Sequence, residues 1–105
     1  MVENKTQEEY IKAYQQWQIV VMQKEQMVLQ LSEIENTINE LQNIEGDVYK
    51  ITGSVMIKKK KEDVLKDLKE KKDLLELKIK SLEKQEKTLR EKLENLHKAA
   101  SPGAS

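Results

Sequence analysis

The sequence predicts a mainly α-helical fold: a long antiparallel two-helix coiled coil with one β-hairpin inserted between the helices, the hairpins of several chains assembling into an oligomeric β-barrel. Three observations predict it. Apolar residues in the second half recur every 3.5 positions, no Pro or Gly precedes Gly46, and a short stretch rich in Val, Ile and Tyr separates the halves. Composition agrees with this. In 105 residues, 36% are charged and 37% hydrophobic, with three Tyr, one Trp and no Phe, too little apolar and aromatic material for a compact core of that size. The whole chain, 1–105, therefore reads as one elongated domain.

The first helix is expected over 6–45, because Thr6-Gln7-Glu8-Glu9 fits a capping box and nothing breaks the helix before Gly46. Its apolar stripe reads as two registers. Tyr10, Tyr14, Trp17 and Val21 keep one, while Met27, Leu31, Ile34, Ile38 and Leu41 keep another displaced by one position, which predicts a local change of winding.

A hairpin is expected over 46–60. Gly46 ends the helical pattern, and Asp47 to Ile57 reads as strand, turn, strand with Thr52-Gly53-Ser54 at the bend. A two-stranded hairpin is marginal on its own, yet this one carries Val48, Tyr49, Ile51, Val55, Met56 and Ile57. Burying six such side chains is worth on the order of 9 to 18 kcal/mol, which a lone hairpin has nothing to pack against to realise. Those six residues are the expected oligomerisation surface, their exposed edges paired by neighbouring hairpins.

The second helix is expected over 61–100, followed by a tail at 101–105 where Ser101-Pro102-Gly103 stops it. Alternate steps of three and four from Leu65 meet Leu68, Lys72, Leu75, Ile79, Leu82, Glu86, Leu89, Leu93 and Leu96. Acid-before-base pairs four apart, Glu62/Lys66, Asp67/Lys71, Glu76/Lys80, Glu83/Lys87, Glu86/Arg90 and Glu94/Lys98, support its outside at roughly 0.2 to 0.5 kcal/mol each. Each helix would reach about 60 Å, and a short connection requires them to run antiparallel. Charge favours the same pairing. Residues 1–45 carry three Lys against eight Glu, and the remainder sixteen basic against eleven acidic groups, so the halves bear −5 and +5.

Composition also excludes function classes. The formal charge is zero, so no long-range field steers the chain toward nucleic acid or an anionic membrane. The absence of Cys removes disulfides and the strongest zinc patterns, and neither a secretory core nor a membrane-length apolar run is expected, which places the chain in the cytoplasm. No catalytic, cofactor-binding or metal-binding residue is singled out: His97 has no partner pattern and no nucleophile or Gly-rich phosphate motif occurs. The chain is not expected to be an enzyme. Lys58, Lys59, Lys60 and Lys61 have no interleaved aromatic and precede two acids, so they read as a solvated strand-to-helix junction.

The hairpin Val48-Tyr49-Lys50-Ile51-Thr52-Gly53-Ser54-Val55-Met56-Ile57, set between a first helix and a regular coiled-coil helix, resembles the beta class of prefoldin subunits. Within that class, Tyr14-Gln15-Gln16-Trp17-Gln18 and the Ala-Ser-Pro-Gly ending are similar first to eukaryotic subunit six and next to the archaeal beta subunit. The resemblance implies a hexamer with alpha-type and other beta-type subunits, and a molecular chaperone without ATP hydrolysis. It would bind unfolded client proteins such as actin and tubulin at coiled-coil tips and pass them to the group II chaperonin. With the hairpin at mid-chain both termini lie at the tip, which makes Tyr10, Ile11, Tyr14, Trp17, Leu89, Leu93 and Leu96 the expected client-binding residues. The alternatives are seam packing for each of those residues and, for the whole chain, a structural scaffold or tether that holds one folded partner. Met22 and Met27 are expected to pack.

Overall fold

The structure is a computed structural model that describes residues 2–100, with side chains from 5 to 99. The chain runs α1 (Val2–Asn43), β1 (Val48–Thr52), β2 (Val55–Lys59), α2 (Lys61–Ala100). It divides into two units. One joins the chain up to Met27 with the chain from Lys78 onward, and the other is Val28–Leu77.

Helix α1 begins at Val2, so Thr6 lies inside it, and the capping-box start expected at Thr6 is corrected: nothing from Val2 to Lys5 breaks a helix, and the turn before Thr6 is helical too. The expected tail, 101–105, lies outside the described residues.

The register of α1 is also corrected. Its half-buried and buried positions are Thr6, Tyr10, Ala13, Trp17, Val20, Lys24, Met27, Leu31, Ile34, Ile38 and Leu41, an unbroken alternation of four and three, with Val21 half-buried beside it. There is no phase change. Lys24 occupies a seam position that a search for apolar residues passes over, and Ala13 and Val20 hold the stripe where Tyr14 and Val21 look like better candidates.

Helix α2 shows the matching stripe. Leu65, Leu68, Lys72, Leu75, Ile79, Leu82, Glu86, Leu89, Leu93 and Leu96 are all buried or half-buried. In the unit holding the ends of the helices, the buried apolar residues are Ala13, Val20, Ile79 and Leu82; in the hairpin unit they are Ile38 and Leu41. No large side chain is fully enclosed. A two-helix seam has a partner on one side only, so its stabilisation is spread thinly along its length rather than concentrated in a core.

Connections in the hairpin unit are held by specific groups. Helix α1 has no basic residue in its last turn, and Lys61 supplies one from the start of α2: its Nζ donates to the Ile44 and Gln42 carbonyls at 2.9 and 3.3 Å. Gly46 then takes φ of 103°, which only glycine adopts without strain. Strands β1 and β2 pair antiparallel from Val48↔Lys59 to Thr52↔Val55, leaving Gly53 and Ser54 as a two-residue loop. With Gly53 at φ of 61° and no positive φ at any other residue type among the described residues, the φ signs are those of a type II′ turn. The Lys60 carbonyl accepts from Asp63 and Val64 N–H, which opens α2, and Glu62 and Asp63 suit that positive helix end.

Of the six acid-before-base pairs expected on α2, Glu86–Arg90 alone closes, at 2.9 Å. The other five ladders are open, as exposed ion pairs gain little in water and must hold long side chains in one geometry.

Candidate functional site

Three places on the chain carry more than helix packing. The hairpin is the first. Register places Val48, Lys50, Thr52, Val55, Ile57 and Lys59 on one face and Tyr49, Ile51, Met56 and Lys58 on the other, so both faces mix apolar groups with lysine. Ile51 and Met56 form a cross-strand pair that is 71% and 64% exposed. Tyr49, Val55 and Ile57 are exposed as well, and Val48 is half-buried. Val48 and Tyr49 line a hollow with Leu41, Val64 and Leu68, so the base of the hairpin leans on the helices and the rest projects.

The lysine run beside the hairpin is partly used for structure. Lys58 Nζ lies 3.1 Å from an Asp47 carboxylate oxygen, and Lys61 holds the end of α1.

The second place is the aromatic flank of α1. Tyr10 and Tyr14 stack at 6.5 Å and 11°, and Tyr14 tilts onto Trp17 at 5.8 Å and 34°, a ladder made possible by the helical spacing of four and three. Tyr10 and Trp17 are half-buried in the seam, and the Trp17 Nε1–H is shut from solvent with no acceptor. Tyr14 and Ile11 are different: they are 42% and 57% exposed, and Tyr14 lies outside the seam register expected to include it. On α2, Leu89, Leu93 and Leu96 are half-buried seam residues. Of the seven residues expected at the tip, five therefore pack at least partly and two are open to a partner. Met27 packs in the seam, whereas Met22 is 60% exposed and does not pack as expected.

The third place is not among the sites expected from the sequence. Lys24 on α1 and Glu86 on α2, both at seam positions, meet at 2.7 Å, and Arg90 donates to the other Glu86 oxygen at 2.9 Å. Glu86 is nearly enclosed and Lys24 about three-quarters so. The hydrogen bond from Lys24 holds the Glu86 carboxyl below the usual carboxylate range against the opposing effect of burial, helped by the positive charges of Lys24 and Arg90. A polar residue at a seam position in each half of the sequence was the signal; the partner assignment needed the register of α1 to be right.

Among the described residues, no group of His, Asp and Glu is arranged to hold a metal ion, and no helix is long and apolar enough to cross a membrane.

Comparison with known proteins follows the same outline. The profile of the prefoldin subunit family matches residues 4–101. The prefoldin subunit beta of Archaeoglobus fulgidus is 41% identical over 80 residues, covering 74% of this chain and 69% of its own. That of Thermococcus onnurineus is 39% identical over 84 residues, covering 78% of this chain and 72% of its own. The crystal structure of the prefoldin beta subunit from Thermococcus strain KS-1 superposes with a TM-score of 0.88 at 32% identity, over 95% of this chain and 90% of that one. These relatives are archaeal beta subunits, so they carry the beta-class resemblance; the finer likeness to eukaryotic subunit six rests on residues 14–18 and the C-terminal tail alone.

Proposed function

Because the chain belongs to the prefoldin subunit family, we propose that it works as one arm of an ATP-independent chaperone, joined to alpha-type and other beta-type subunits through its hairpin and holding unfolded proteins at its helix ends. One observation carries the reading. Outside the narrow seam, apolar residues are left uncovered on several surfaces, and two of them bear on function: the hairpin and the flank of α1 that carries Ile11 and Tyr14.

The hairpin accounts for assembly. Two strands with unpaired edges and apolar groups on both faces gain by pairing with other hairpins, and closure of such strands into a barrel leaves no edge free. A hexamer is the assembly that the family resemblance implies. Holding of clients follows from the second surface: shallow apolar contact without a shaped pocket accepts many sequences, and several arms acting together raise avidity. Nothing in that process needs a nucleotide, a metal or a covalent step. The clients would be non-native chains, among them actin and tubulin, handed to the group II chaperonin in the cytoplasm.

Suppression of aggregation tests the reading. The assembled protein should hold two unrelated denatured proteins in solution, and Ile11→Ser with Tyr14→Ser should reduce that activity several-fold while leaving helix content and assembly mass unchanged. Tyr14 and Ile11 are better probes than Trp17, whose removal would also disturb the seam. A scaffold that grips one folded partner would show no suppression with either protein.

A further inference from the structure

Beside its apolar groups, the hairpin carries charge of one sign. Residues 48–59 hold Lys50, Lys58 and Lys59 and no Asp or Glu, in a chain with 19 basic and 19 acidic residues. All three lysines are exposed. Lys58 meets Asp47, just outside the hairpin, through side chains that are 64% and 56% exposed, so water screens the pair. Lys50 and Lys59 share one face and line the hollow at the hairpin base with Asp63 and Asp67, yet close no ion pair among the described residues.

The same hairpin needs a cover. The two-residue loop makes Thr52 and Val55 the pair whose C=O and N–H close the turn. Alternation then turns the backbone groups of Tyr49 and Ile51 on β1, and of Met56 and Lys58 on β2, away from the partner strand. Ile51 and Met56, on those edges, leave their side chains in water as well. Lysine at a strand edge guards against chance pairing, but a guard alone leaves all these groups uncovered. Cover by a second copy meets an obstacle that does not depend on register. Whichever strands pair, every charged side chain within the two hairpins is a lysine, and like charges across a strand pair destabilise it.

We propose that this charge decides which chain covers the hairpin: it disfavours a second copy and selects the hairpin of a different subunit whose strands present carboxylates to Lys50, Lys58 and Lys59. The inference rests on the assembly reading above and adds the chemistry of the neighbour. Apolar contact through Ile51 and Met56 attracts any hairpin of matching shape, whereas charge sets the difference between one neighbour and another. Carboxylates opposite the lysines also steer encounter, so assembly with the right neighbour is faster at low salt.

The probe is a charge variant of this chain. Lys50→Glu with Lys59→Glu sets two acids in place of two lysines while Lys58 keeps Asp47. The variant is isotopically labelled, so native mass separates mixed from self complexes. At low salt, an equimolar mixture should form the mixed complex at about tenfold lower concentration than wild type alone needs to self-associate, and high salt should remove the difference. Lys50→Gln with Lys59→Gln should self-associate about tenfold more strongly than wild type at low salt. Helix content and amide protection of β1 and β2 show whether each variant keeps its fold. The Gln variant sets no new acid beside Asp63 and Asp67, so it carries the test if the Glu variant loses its hairpin.

Equal self-association of wild type and the folded Gln variant at low salt overturns the proposal, as does a mixture with the folded Glu variant that is no tighter than wild type alone. If wild type still joins an alpha-type subunit and Ile51→Asp with Met56→Asp releases it, assembly through the hairpin stands and the charge inference falls alone. If that substitution releases nothing, both fall.

Discussion

Lys24 and Glu86 place opposite charges inside a seam otherwise filled by apolar side chains, and Arg90 completes the cluster. Enclosed ion pairs contribute little net stability against apolar residues of similar size, but breaking one strands the remaining charge. Lys24→Ala is therefore expected to destabilise the chain by about 1 to 3 kcal/mol, tempered by Arg90, while Lys24→Leu with Glu86→Leu should match or exceed wild type. Urea unfolding midpoints separate the two outcomes. What the pair supplies instead is register: a slip by one heptad leaves both charges facing apolar residues. The acid dependence has a definite sign. Glu86 titrates below its unfolded value, so its contribution is fully present above the ordinary carboxylate pKa and is lost as pH falls through the lowered one. Wild type should thus lose more stability than the double Leu variant on acidification below pH 4.5, measured as the difference in unfolding midpoints across that range.

The hairpin depends on its turn. Gly53 has open space around the position of a Cβ, so the cost of replacing it lies in the backbone, whose φ of 61° suits glycine. Gly53→Val should weaken the hairpin by about 1 to 2 kcal/mol, seen as faster amide exchange in β1 and β2 with α1 and α2 unaffected. Helix α2, the hairpin and the seam of α2 were legible in the sequence because their signals are local: a strict leucine repeat, β-branched residues and a glycine at the bend. The seam of α1 was not. Its stripe includes Ala13 and Lys24, residues that apolar periodicity does not count, so the reading shifted to Tyr14 and Val21. The same shift hid which aromatic groups are open. Tyr14 looked like a seam residue and proves exposed.

At the scale of the whole molecule, one chain leaves Ile51, Met56, Val55 and Tyr49 in water, which a stable protein avoids by association. The family places such hairpins in an oligomer, and this chain's hairpin has the features that need one. Native mass of the chain mixed with a two-hairpin alpha-type subunit tests this most directly. A complex containing both subunits is expected, and Ile51→Asp with Met56→Asp should return the mixture to separate components without unfolding either helix. A chain that stays monomeric beside the alpha-type subunit, or a complex indifferent to those substitutions, would contradict assembly through the hairpin.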